Sequence, residues 1–436
     1  MWLTLAVLMA QTPPATADSA SLGEPDLPSP LSLDQAERIF LAHGLDLLIA
    51  EAQIAGAEGD LRAAHIVQNP IVNGDFLYGF PVNDSASGNV PAVPGWTVGL
   101  SDNAAIEDIL AGKRGLRIDT ASRALEAARH SRDDARRTLL TQVRNAFTAA
   151  LLAQQNLDFA VEVQDSYQKT RALNQTRYEK GSISQVDLTR IVVAQLESQQ
   201  QRDQAAAQLI QAKATLAFLL GSRSHALGFA LQGDLAYRPM PRLDGASADD
   251  LAQVGLEHRP DLLAATASRE QSGFAMAQAK RQVFPDISLQ LSYTQQYNTQ
   301  PNGVVVPPTL SVGLQAPIPL FYQQQGEVRR AEANFLVAET QEQKARAQVV
   351  SDVTQADASY CAARDMVRRM EGELLQNAKQ ARDLEELLYR KGSASLLEFL
   401  DAQRTYIAIN LEYRQDLQAY WNAVYQLEQA TGSELQ

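Results

Sequence analysis

Apolar positions along this chain follow two periods, and the points where one gives way to the other divide it into elements. Leu33, Ala36, Ile39 and Phe40 share one helical face that ends near His43-Gly44. Ser32 is the N-cap of that helix, with Gln35 at the capping-box position. A second helix is expected over about 46–68, stopping before Asn69-Pro70. From Ile71 the period becomes two: Val72, Phe76, Tyr78 and Phe80 lie on one side, Asn73, Asp75 and Gly79 on the other. Past a Pro/Asn/Ser/Gly loop at 81–94, Trp96, Val98 and Leu100 alternate with Thr97, Gly99 and Ser101. These are two strands, about 70–80 and 94–101, with one apolar and one polar face. A long helix follows from about Asp119 to Thr176. Leu140, Phe147 and Val161 recur in it at seven-residue steps interrupted by Gln154, beside a row of Val143, Ala150 and Leu157. Its length, roughly 85 Å at 1.5 Å per residue, is that of a coiled coil. A returning helix covers about Gln185 to Leu220 and stops at Gly221.

The second half repeats this order. His43, Asp46, Leu47 and Leu48 match His258, Asp261, Leu262 and Leu263, and Pro70 matches Pro285. Ile287, Leu289, Leu291 and Tyr293 alternate with polar residues over a strand at about 285–296. Leu310, Val312 and Leu314 do so over about 304–316. Between the long helices, Tyr178-Glu179-Lys180-Gly181-Ser182 returns as Tyr389-Arg390-Lys391-Gly392-Ser393, an offset of 211 residues. Each glycine reads as the left-handed residue that stops one helix. Ser182/Ser184 and Ser393/Ser395 then offer N-caps for the next. The chain is thus a tandem duplication: residues 32–235 form the first repeat and 236–436 the second.

Composition narrows the function. Aromatics are only 6% of the 436 residues, which favours long packed helices over a thick core. A net charge of −13 and the lack of a basic stripe exclude a nucleic-acid surface. Acidity is ordinary for a solvated surface, and it also suits a cation path. The single cysteine, Cys361, reads as a small packing residue. The five histidines are scattered without metal-ligand spacing and no phosphate loop is present, so neither an enzyme, a metal site nor a cofactor is expected. Residues 1–17 resemble a secretory signal, with an apolar run at Trp2–Ala10 before Ala15-Thr16-Ala17, and 18–31 form a Pro/Ser-rich linker. No later apolar run reaches the length of a membrane helix.

The four strands are bordered by Trp96, Tyr78, Phe80, Tyr293, Tyr297 and Phe321, as a transmembrane β-barrel requires. A soluble sandwich or a sheet packed on helices is the competing reading. Four strands cannot close a barrel and lipid tolerates no open edge, so spanning strands imply an oligomer. The lipid-facing set would be Val72, Phe76, Tyr78, Phe80, Trp96, Val98, Leu100, Ile287, Leu289, Leu291, Tyr293, Leu310, Val312 and Leu314.

The duplicated layout, the Asn69-Pro70 and Phe284-Pro285 strand entries, Val312-Gly313-Leu314 leading into Pro317-Ile318-Pro319-Leu320-Phe321, and the two tips resemble the TolC family of outer-membrane efflux channels. The resemblance covers about 32–434 and leans to the metal-efflux branch. It departs at Ser101–Asp108, which is acidic where the second repeat is Pro-rich. It implies a mainly α fold with a small transmembrane β part: a tandem-repeat α-helical barrel plus four strands per chain in a shared 12-stranded barrel. The implied assembly is a homotrimer in the outer membrane, with a long periplasmic extension. The implied partners are a periplasmic adaptor protein and an inner-membrane efflux pump. By the same resemblance Glu398 and Asp401 line the pore constriction, with Asp187 matching Glu398. Arg190, opposite Asp401, is a candidate latch to a neighbouring carboxylate. Both carboxylates also fit as solvated charges near a helix N-terminus. Lys180, Gly181, Ser182, Lys391, Gly392 and Ser393 would receive the adaptor, and Tyr178 and Tyr389 would bond neighbouring helices. The cargo reading is a small molecule or metal ion. The alternatives are type I protein secretion and a soluble periplasmic adaptor or scaffold.

Overall fold

The computed structural model describes residues 23–84, 88–90, 93–224, 227–297 and 306–433. The signal-like segment 1–17 and residues 304–305 of the strand expected at 304–316 lie outside these residues, and 306–308 are not strand, so that strand begins at Thr309. Helices α1 (Leu33–His43) and α2 (Leu45–His65) begin the first repeat, and α1 carries the expected capping box between Ser32 and Gln35. Strand β1 (Ile71–Gly79) leads to a small ribbon of β2 (Val82–Asp84) and β3 (Gly88–Val90) where only a loop was expected. Strand β4 (Val93–Ser101) follows, then a short helix α3 (Ala105–Leu110). Helix α4 (Lys113–Glu179) has 67 residues, roughly 100 Å, and α5 (Gln185–Leu219) returns. The second repeat contains α6 (Pro241–Asp244), α7 (Ala248–His258), α8 (Pro260–Arg281), β5 (Ser288–Gln296) and β6 (Thr309–Gln315). Its long helix is divided into α9 (Gln325–Arg369) and α10 (Leu375–Lys391) by a π-helical turn, Met370–Leu374, before α11 (Leu396–Thr431).

These elements form two compact units, each drawing on both repeats. One comprises residues 51–134 and 259–348 and holds the main sheet, antiparallel in the order β1-β4-β5-β6. Its register sorts the side chains by chemistry. Val72, Leu100, Leu291 and Val312 form one cross-strand row. Val98, Tyr293 and Leu310 form the next, Leu289 faces Leu314, and Phe76 faces Trp96. The opposite face carries Asn73-Gly99-Ser292-Ser311 and Asp75-Thr97-Thr294-Thr309, where the Thr97 and Thr294 hydroxyls lie 3.0 Å apart. Of the residues expected on the lipid-facing strand face, Phe80 follows β1 and Ile287 precedes β5, so these two lie just outside the strands.

The acidic junction of the first repeat is a polar clamp. Asp102 accepts the Leu289 N–H at 2.7 Å and those of Ala104 and Ile106 at 3.3 Å, closing the end of β4 onto β5. Lys113 Nζ donates to Asp286 at 2.6 Å and to the Phe284 carbonyl at 2.8 Å, and pairs with Glu107. Arg117 holds Asp108 at 2.9 Å. In the second repeat the corresponding run Pro317–Phe321 is apolar and exposed.

The other unit comprises residues 1–50, 135–258 and 349–436, as far as they are described. Its core is built on Phe40, Val143, Phe147, Leu216, Tyr360 and Tyr420. The row Val143–Ala150 is buried as the seven-residue spacing predicts, whereas Val161 is exposed. Gly221 allows the end of α5 to approach α1, since a Cβ there would lie 2.3 Å from the His43 carbonyl oxygen. Among the described residues, Leu33–His65 is long and apolar enough to cross a membrane, contrary to the sequence expectation. The break at Gly44 divides it into helices of 11 and 21 residues, and Ala36, Phe40 and Leu47 are buried in this core.

Arg144 sits in the same unit between two carboxylates, Glu37 at 2.6 Å and Glu428 at 2.7 Å, so α1, α4 and α11 share one partly buried cation. Arg144→Leu would leave two carboxylates facing each other without a counter-charge, a loss of about 3–5 kcal/mol. A large drop in the thermal midpoint of the helical circular-dichroism signal is expected. Replacing Glu37 and Glu428 by Leu together with Arg144 is expected to recover part of it.

Candidate functional site: the paired hairpin tips

Both tips are built by the same local chemistry. At the end of α4, Gly181 takes φ +71°, and the Ser182 N–H donates back to the Arg177 carbonyl at 2.8 Å. At the end of α10, Gly392 takes φ +80°, and the Ser393 N–H donates to the Leu388 carbonyl at 2.9 Å. Only glycine adopts these angles without strain, and the returning amides satisfy carbonyls that the helix end leaves open. Of the four candidate serines, Ser184 and Ser395 are the N-caps. Ser182 and Ser393 instead belong to the C-terminal turns. Lys180, Gly181, Ser182, Lys391, Gly392 and Ser393 are all exposed.

The carboxylates near the tips differ in their engagement. Glu398 turns back into a capping box, its Oε2 accepting the Ser395 N–H at 2.7 Å. That bond and the Ser395 hydroxyl hold the carboxyl below its ordinary value. The folded value lies under the unfolded one, so this cap's contribution is present above the unfolded value and is lost as pH falls through the folded value. Asp187 accepts the Ser184 hydroxyl at 2.8 Å and lies 3.5 Å from Arg190 in its own helix. Arg190 is therefore paired within its own helix in the single chain. Asp401 is exposed one turn beyond Glu398, with no ion pair among the described residues.

The two tyrosines of the repeated motif part company. Tyr389 is 6% exposed and Tyr178 39%. The Tyr389 ring stacks on Phe399 with centroids 5.5 Å apart, and the Arg177 guanidinium lies over it at 5.0 Å. Its hydroxyl bonds Asn174 Oδ1, and Arg177 also donates to the Arg390 carbonyl at 2.9 Å. Tyr389 thus joins α10 to α4 as expected, while Tyr178 makes no side-chain hydrogen bond among the described residues. Asn174, Arg177 and Phe399 escaped the sequence reading. The one available signal was that Arg177-Tyr178 is matched by Leu388-Tyr389, so the two copies differ beside the tyrosine. Between the tips lies a cleft of about 720 Å³ lined by Arg177, Ser182, Asp187, Arg190, Tyr389 and Gly392. It is open and mixed in charge.

Known proteins give the same picture. The family model described as outer membrane efflux protein matches residues 38–222 and 251–433, one segment in each repeat. The cobalt-zinc-cadmium resistance protein CzcC of Cupriavidus metallidurans is 24% identical over 415 residues, covering 94% of this chain and 93% of the relative. The alkaline protease secretion protein AprF of Pseudomonas aeruginosa is 28% identical over 202 residues, 42% of this chain and 38% of the relative. The outer membrane protein VceC of Vibrio cholerae superposes with a TM-score of 0.73 at 19% identity, over 93% of this chain and 97% of that one. With the duplicated helical hairpins and the four-stranded sheet in place, the chain belongs to the outer membrane efflux protein family, an outer-membrane channel protein of TolC-like fold.

Proposed function

We propose that three copies of this chain close one 12-stranded barrel and form the exit duct of a tripartite efflux pump. A periplasmic adaptor is seated on the tips, and an inner-membrane pump supplies the energy. The observation that carries this reading is the sheet: four strands, apolar on one face, with β1 and β6 at its two open edges. In hydrocarbon each unpaired backbone group costs several kcal/mol, so the edges must meet strands of other copies. The likeness to CzcC over nearly the full chain favours metal ions as cargo. The shorter likeness to AprF supports protein secretion as the second reading. Purified in mild detergent, the protein is expected to have the mass of a trimer and to give discrete channels in planar bilayers. A soluble monomer without conductance would overturn the duct in favour of a periplasmic scaffold.

Within this reading Asp401 is the carboxylate best placed to act on cargo, because Glu398 is drawn back onto Ser395 and Asp187 onto Arg190. Three copies would set it in a ring of negative charge, which favours cations. Asp401→Ala combined with Glu398→Ala is expected to lower cation selectivity and raise single-channel conductance, with most of the effect from Asp401. Unchanged selectivity would remove both residues from the constriction.

A further inference from the structure

We propose that Tyr178 of one copy docks on Glu385 and Leu388 of the next, making the contact between chains that Tyr389 makes within a chain. The inference rests on the trimeric reading and specifies one of its interfaces. In a closed ring of duplicated chains the two repeats alternate. Each boundary from a first to a second repeat lies inside a chain, and each boundary from a second to a first repeat lies between chains. The boundary inside the chain is visible: Asn174 and Arg177 of the first repeat hold Tyr389 of the second by a hydrogen bond and a guanidinium over the ring. Advancing every partner by the 211-residue repeat turns Asn174 into Glu385 and Arg177 into Leu388. The tyrosine they receive is then Tyr178 of the neighbouring first repeat.

The single chain leaves these three side chains incomplete. Tyr178 is exposed and Leu388 is 41% exposed, unlike the buried Tyr389. The Glu385 carboxylate makes no hydrogen bond or ion pair among the described residues; its Oε2 is covered by the chain's own atoms, and its Oε1 is the oxygen open to a donor from outside. A half-buried carboxylate without a donor gains from a charge-assisted hydrogen bond, and a phenol hydroxyl reaching the open Oε1 supplies one. Leu388, in place of Arg177, offers an apolar surface to the ring, so Tyr178 and Leu388 would bury each other. The contact between chains thus exchanges the amide and guanidinium of the internal one for a carboxylate and a leucine. This also distinguishes the two boundaries, so that a first repeat does not pair with the wrong neighbour.

The test is cross-linking in membranes. Tyr178→Cys with Glu385→Cys, in a Cys361→Ala background, is treated with a short bis-maleimide and run on a denaturing gel. Covalent dimers and trimers that require both cysteines are expected. Asn174→Cys with Tyr389→Cys, the internal pair, should leave every band at monomer mobility. Only monomer from the Tyr178/Glu385 pair, in protein whose mass in mild detergent is that of a trimer, would overturn the contact and leave the duct standing. Loss of the trimer itself in unmodified protein would overturn the duct reading. A double-mutant cycle guards against cysteine artefacts: Tyr178→Phe should lower the dissociation temperature of the trimer, and should have little further effect once Glu385 is Leu. Additive effects would overturn the contact.

Discussion

Backbone hydrogen bonding at the two open sheet edges is the constraint on which the rest depends. Along each strand side chains alternate strictly, so one face can be wholly apolar without any help from the helices. The edges have no such remedy. β1 and β6 each present N–H and C=O groups whose partners the chain does not contain among its described residues, and lipid offers none. Pairing β4 with β5 joins the hairpins of the two repeats inside one chain. Pairing β6 with β1 can occur only between copies. Assembly is therefore written into the backbone more firmly than into any side chain, and the side chains decide register and neighbour.

Duplication supplies the same parts twice, and the structure uses them differently. The glycine turns and serine caps at the tips are nearly superposable in their chemistry, because they answer to helix-end geometry that is local. The tyrosines beside them answer to whatever lies across the gap, and there the copies diverge. Tyr389 finds Asn174, Arg177 and Phe399, while Tyr178 is left exposed. The long helices diverge too. α4 runs unbroken for 67 residues, whereas its counterpart is interrupted by the π-helical turn at Met370–Leu374. Glu371 of that turn accepts the Tyr413 hydroxyl at 2.7 Å, which ties the wider turn to α11. Burial and the neighbouring carboxylate push the Tyr413 phenol well above its ordinary value, so it stays a donor.

Much of this architecture was legible in the residues. Period-two alternation from Val72 to Leu100 and from Leu289 to Leu314 located the strands, and the registers place those residues in shared rows. Gly181 and Gly392 marked both tips, and Ser32 with Gln35 marked the first helix, because capping depends on residues only a few positions apart. Less legible was the acidic run Asp102–Asp108. Its charges looked out of place beside a membrane strand until Leu289, Lys113 and Arg117 were seen around them. Glu398 could be read equally as a pore charge or as a solvated charge near a helix N-terminus. Only the bond to the Ser395 N–H shows which way its carboxylate turns in this chain.

The sequence by itself determined the elements, their duplication, the two faces of the strands and the turn chemistry of the tips. All of these follow from periodicity and from interactions between residues close along the chain. The tertiary structure decided which copy of each repeated residue is buried, which carboxylates are already paired, and that Arg144 lies between Glu37 and Glu428. The Arg144 cluster and the burial of Tyr389 against Asn174 depend on groups more than a hundred residues apart in sequence, whose meeting is set by the packing of long helices rather than by any local preference.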